Sequence, residues 1–467
     1  MLGDGLTTEN TESTEKSAIP FDSSVVWFLT LRNSVNSVVK WAPWLFAIYL
    51  VGNLCLPIAS FERYRDLSDP SVPVLGNALA FENPGNRGLL LGLLTFCIAL
   101  VAAVRRAEPC GPFRMQGFDY ACLLWIATPV LVGIFNPSPF LEDAYQTVYL
   151  GVVWAGPYLA GRVLTKNRDD LTRGLRILSA AGAVTFLIAL SEMVFGRWVY
   201  RLLFGYHPFQ SVGESRWIGY RPLLCFEDPN QAAMWWMTIA IAAILLVPSW
   251  GFATKQARWK WAALSLPFLF QGVGAAVLTL VGAISLSARG IPRWRFMLAG
   301  AVVIGAVLFL ARGPILVVGR QVAQQTGMEE GLKKIFRRSA IGSFGWRMAR
   351  EEEGSQLTQE YPIAGWGTVM FWRDSGKRER PWGLVSLVNG AYGIVGTGAL
   401  LWFLGGPLVS LLTPNRRHAG SPKGDLIRLG VPVLLALHGI DAMMNSALFL
   451  PLLYLYGAWV STEHTQC

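Results

Sequence analysis

The chain has 467 residues, of which 53% are hydrophobic and 15% charged, with 19 tryptophans and a formal net charge of +10. A soluble domain carries about 25% charged residues, so this composition excludes an ordinary soluble enzyme. The expected class is an all-α polytopic membrane helical bundle, because in lipid every backbone polar group needs an internal partner.

Residues 1–40 read as a polar tail, rich in Thr, Ser and Glu up to residue 23, followed by SVVWFLTLRNSVNSVVK at 24–40. That second piece is expected to lie in the interface as an amphipathic helix. Apolar runs follow near 41–59, 88–104, 119–135, 144–161, 176–195, 229–247, 260–288, 296–311, 384–412, 426–443 and 446–461. Runs of this length are just sufficient to cross the hydrocarbon core.

Basic residues orient them. Arg105, Arg106 and Arg114 follow the second run, Arg162, Lys166, Arg168, Arg173 and Arg176 the fourth, and Lys255, Arg258 and Lys260 the sixth. Arg416, Arg417, Lys423 and Arg428 follow the ninth. Such short basic loops face the cytoplasm, so the positive balance is a topology signal and does not argue for nucleic acid. The acidic loop 136–143 and the stretch around Arg221 then face outward. If 260–288 crossed once, the basic loops at 287–295 and 413–428 would conflict. A tight hairpin turning at Gln271-Gly272-Val273-Gly274 removes the conflict and gives about eleven to twelve transmembrane helices. The expected organisation is the tail 1–40, a transmembrane bundle 41–311, one large extracytoplasmic loop 312–383 with amphipathic helices, and C-terminal transmembrane helices in 384–467.

The six cysteines form no paired motif and the four histidines are scattered, so no metal site is expected. No glycine loop for phosphate appears, and no cofactor is implied. What does stand out is RPLLCFEDPNQ at 221–231, where Arg221 precedes a polar helix start. Asp228 suits the N-cap, Pro229 the first helical position, and Asn230 the next. Later come Trp346-Arg347, then Pro362-x-x-Gly365-x-Gly367, then Tyr392-Gly393-x-x-Gly396 opening the next run.

Together, an outward arginine before Phe226-x-x-Pro229-Asn230 and the later glycine motifs resemble the O-antigen ligase and polymerase superfamily of bacterial envelope enzymes, over about residues 90–460. The resemblance implies an inner-membrane protein of polysaccharide biosynthesis that joins or polymerises glycan from an undecaprenyl-diphosphate-linked donor onto a glycan or lipid acceptor. Arg221 would bind the diphosphate, with Arg216 and Arg347 assisting and Asn230 and Asp228 in support. Guanidinium groups suit this task because they hold phosphate oxygens through two hydrogen bonds. The sequence departs from the family in two places. RPWGLVSLVNGAYG at 380–393 lacks the usual histidine, and the family's Ser-Arg-Gly is matched only by Ser287-Ala288-Arg289-Gly290 or, by position, Gly272-Val273-Gly274.

Each of these residues also has a structural reading. Arg221 and Arg216 can snorkel to lipid headgroups, and Arg347 can pair with Glu351 four residues on. Glu192, near the end of the fifth run, is the first candidate for a catalytic base, but it can equally cap backbone or pair with Arg197. Asp441 and Asn445 suit a turn, and His207 an exposed loop. Two other functions fit the same chain: a transporter or flippase for a lipid-linked glycan, and a silent partner in an envelope-polysaccharide assembly.

Overall fold

A computed structural model describes residues 42–56, 87–110, 115–136, 140–204, 218–226, 229–246, 255–287, 325–326, 342–369, 371–376, 381–412, 422–443, 445 and 448–464. The tail, the run at 296–311, Arg216, Asp228 and His207 lie outside them. All regular structure among the described residues is helical. Four helices are long and apolar enough to cross a membrane: α2 (Arg87–Cys110, through Val104), α6 (Arg168–Phe195), α8 (Pro229–Leu246) and α13 (Leu384–Leu412, through Val409). Shorter apolar helices are α1 (Ala42–Cys55), α3 (Gly117–Gly133) and α10 (Val273–Ser287).

Local chemistry accounts for several boundaries. Asn167 caps α6 by accepting from the Asp170 amide at 3.0 Å, and Gly196 ends the helix at φ 74°. Asp119, in the first turn of α3, accepts from the Gln116 amide at 2.7 Å. The run at 144–161 becomes one continuous rod, α4 (Phe140–Leu150), a π-turn at Gly151–Ala155, and α5 (Gly156–Leu164). Pro157 sits just beyond the widened turn; it has no N–H to donate, and a π-turn is a usual way to absorb such a break.

The run at 260–288 is two helices, α9 (Lys255–Leu269) and α10, joined by a turn in which Gln271 has φ 62°. The turn expected from the glycines is therefore present. Its end is tight: a Cβ on Gly272 would lie 2.2 Å from that of Ala233 in α8.

Helix α8 is the hub, packed against α6, α9, α10 and α14 (Pro422–Ala442). Trp235, Trp236 and Met237 are fully buried there. By contrast, α2 and α10 present Leu90, Leu100, Val277 and Ile284 to the outside, each more than half exposed. Such apolar faces suit lipid and are unusual in water. The final described helix, α15 (Pro451–His464), crosses α5 at glycine: a Cβ on Gly161 would lie 1.9 Å from the Tyr454 oxygen, and one on Gly457 1.9 Å from the Tyr158 oxygen. Close backbone approach through small residues is the usual packing device of membrane helices.

Candidate functional site

Residues 218–226 are irregular, and they carry Arg221 into the space between helix ends. Two residues there hold left-handed backbone, Gly219 at φ 56° and Leu224 at φ 52°. A non-glycine residue in that region is sparsely populated and persists only where its surroundings enforce it. Here they do. From α6, Glu192 Oε2 accepts from the Leu223 amide at 2.9 Å and the Leu224 amide at 2.8 Å. The Met193 carbonyl accepts from the Tyr220 amide at 3.0 Å. From the α9–α10 turn, the Gln271 side-chain amide reaches the Ile218 carbonyl. From the start of α2, Arg87 Nη1 donates to the Cys225 carbonyl at 2.8 Å and the Leu56 carbonyl at 3.3 Å. Its guanidinium lies 5.9 Å above the Phe226 ring.

Held in this way, Arg221 is 9% exposed and donates through Nη2 to Asn230 Oδ1 at 3.4 Å, at the second residue of α8. Two expected site residues therefore meet. Glu192, which holds the same segment from α6, is 1% exposed, with its other oxygen, Oε1, buried and without a hydrogen-bond partner. Cys225, beside Arg87, is buried too, and burial pushes its thiol up to about 12 despite the nearby guanidinium.

Arg347 stands elsewhere, on α11 (Gly342–Glu360), which packs on α13. Its Nε is buried without a hydrogen-bond partner. The pairing with Glu351 does not form. Glu351 is fully buried and serves the start of α13 instead: Oε1 accepts from the Trp382 amide at 2.8 Å and the Gly383 amide at 2.6 Å, and Oε2 from the Ser386 hydroxyl. Free N–H groups at a helix start carry partial positive charge, which a carboxylate satisfies well.

The two glycine motifs form a second centre. α13 is broken at Gly393, with φ 60° and ψ −155°. The segment 361–367 lies against the break and supplies the missing hydrogen bonds. Ile394 N–H donates to the Pro362 carbonyl at 3.0 Å, while the Trp366 and Gly367 amides donate to the carbonyls of Gly390 and Ala391 at 2.9 Å each. Asn136, at the end of α3, locks the segment by donating to the Gly365 carbonyl at 2.7 Å. Two further polar contacts lie between α14 and its neighbours. His438 meets the Thr238 hydroxyl of α8 at 2.9 Å, and Asn445 Nδ2 donates to Asp441 Oδ1 at 2.6 Å in the turn that precedes α15.

Arg87 is the residue that sequence reasoning passed over. It sits at the first position of an apolar run, and its partners lie 31 and 138 residues away. A lone cation at the end of a run opposite the basic loops was the available signal. Among the described residues no group of His, Cys, Asp and Glu is arranged to hold a metal ion.

No family model and no curated protein matches this chain.

Proposed function

We propose that the protein is an inner-membrane glycosyl-transfer protein of the O-antigen ligase and polymerase type, acting on an undecaprenyl-diphosphate-linked glycan donor. In this reading about twelve helices cross the membrane, and the segment 312–383 and the Arg221 mouth face the extracytoplasmic side. The acceptor is a glycan or lipid hydroxyl. Negative charge grows on the diphosphate as its bond to the sugar C1 breaks, and a fixed guanidinium in a site of low dielectric stabilises that charge.

The observation that carries the reading is Arg221, nine-tenths buried at the start of an apolar helix and hydrogen-bonded to Asn230. An ionisable residue at such a place is costly unless it meets a functional charge. Arg347 assists from the long segment.

The test is glycan transfer in nanodiscs from an undecaprenyl diphosphate donor, comparing wild type with Arg221→Ala. A loss of at least about tenfold, with unchanged expression and melting, supports the reading. No transfer by either form, with cognate donor and acceptor supplied, sinks it. Transport of a lipid-linked glycan is the second reading, favoured by the break in α13 at Gly393, since transporters build their sites from discontinuous helices.

A further inference from the structure

We propose that Glu192 and Arg87 are positioning residues that hold the Arg221 segment from opposite sides, and that Glu192 is not the proton acceptor; the catalytic part of this inference rests on the glycosyl-transfer reading. A general base must reach the hydroxyl it deprotonates. Glu192 is 1% exposed, and Oε2 already accepts from two amides. What that oxygen does is geometric. It fixes successive N–H groups at Leu223 and Leu224, where the backbone turns left-handed at φ 52°.

Arg87 completes the grip one residue later. Its Nη1 holds the Cys225 carbonyl at 2.8 Å, and its guanidinium lies over Phe226. The carboxylate therefore grips the donors of the segment and the guanidinium grips an acceptor, so the two cannot exchange roles. Between them the segment's backbone is held at Leu223, Leu224 and Cys225, and Arg221 reaches Asn230 at the mouth of α8. A guanidinium fixed before the substrate arrives loses no ordering free energy when it binds, which is where a positioning residue acts.

The two roles predict opposite behaviour for Glu192→Gln. A glutamine carbonyl still accepts from both amides, but an amide takes no proton. The first measurement needs no activity. Full-length protein in nanodiscs is treated with a maleimide, and modification of the peptide carrying Cys225 is followed by mass spectrometry. In wild type and Glu192→Gln, Cys225 stays protected. In Glu192→Ala and Arg87→Ala its labelling rises about tenfold, because the segment opens locally.

The second measurement is transfer kinetics. Glu192→Gln keeps kcat within about twofold of wild type, whereas Glu192→Ala raises the donor KM about tenfold with a smaller change in kcat. Labelling of Cys225 that is unchanged in both alanine variants overturns the grip. A fall in kcat of about 100-fold in Glu192→Gln overturns the positioning role and restores the base. If Glu192→Ala does not fold, Arg87→Ala and Glu192→Gln still decide by the same readings. Absent transfer in wild type refutes the glycosyl-transfer reading alone, because the labelling answers separately for the grip.

Discussion

Gly365 and Gly393 touch backbone to backbone: a Cβ on Gly365 would sit 2.5 Å from the Gly393 nitrogen, and one on Gly393 would sit 2.2 Å from the Ile363 oxygen. Both have positive φ, at 65° and 60°. The contact joins a turn-rich segment to a broken helix. It lets four backbone groups of α13, the carbonyls of Gly390 and Ala391 and the amides of Ile394 and Val395, keep hydrogen bonds that the break would otherwise remove.

Alanine at either position is therefore expected to destabilise the protein. The left-handed backbone alone costs a non-glycine residue about 1–2 kcal/mol, and displacement of backbone atoms adds to it. Thermal melting in detergent should show a clear drop for Gly365→Ala and Gly393→Ala. Gly398→Ala is the control: nothing lies within 4 Å of its Cβ, and alanine gains up to about 1 kcal/mol over glycine in a helix. Equal melting temperatures for all three would refute the contact.

Glu351→Ala should be among the most damaging single changes in the long segment. It removes the carboxylate that accepts from the Trp382 and Gly383 amides, at about 1–3 kcal/mol for a buried group that loses its acceptor. Glu351→Gln retains one carbonyl oxygen for them and should lie between alanine and wild type. A melting series of the three proteins checks the order.

The pair Arg162 and Asp119 makes a comparable prediction at the other end of α3. Their side chains lie 3.6 Å apart and almost fully buried, and Asp119 also accepts from the Tyr158 hydroxyl at 2.7 Å. Asp119→Ala removes the carboxylate beside the buried Arg162 guanidinium, at up to about 3–5 kcal/mol. The double variant Asp119→Leu with Arg162→Met, which removes both charges, should recover most of that loss. If the double variant melts no higher than Asp119→Ala, the pair is not the cause.

Cys225 should resist alkylation in the folded protein. With its thiol raised to about 12, roughly one molecule in 10,000 carries the thiolate at pH 8. Exposed Cys55 should react ahead of it. The sign for stability follows from the raised value. The protonated thiol contributes fully below its ordinary value of 9.0, and the contribution fades as pH climbs from there to about 12. Denaturation measured between pH 8 and pH 11 should show a smaller decline for Cys225→Ala than for wild type.

Several features of this molecule were legible in the amino-acid order. Apolar runs marked α2, α6, α8 and α13, and the conflict of basic loops located the turn at Gln271 before any coordinates. Arg221 and Asn230, nine residues apart and both named as site candidates from the sequence, meet at one helix mouth. The rest depends on pairings that composition and spacing do not encode. Glu351 looked like half of an i,i+4 pair, yet the groups it accepts from lie 31, 32 and 35 residues on. Likewise, Glu192 binds amides 31 and 32 residues away. A carboxylate offers the same side chain to a lysine, a proton or a backbone amide, and only the tertiary fold selects among them.

The crossing of α5 and α15 bears on how the protein is made. Ser461 in α15 donates to the Thr165 carbonyl at 2.8 Å across 296 residues, beside the glycine contacts of Gly161 and Gly457. A ribosome delivers α5 long before α15 emerges, so the groove around Gly161 stays open through most of translation. Contacts so distant in sequence form slowly. The helices made early therefore wait for α15 before this groove can close.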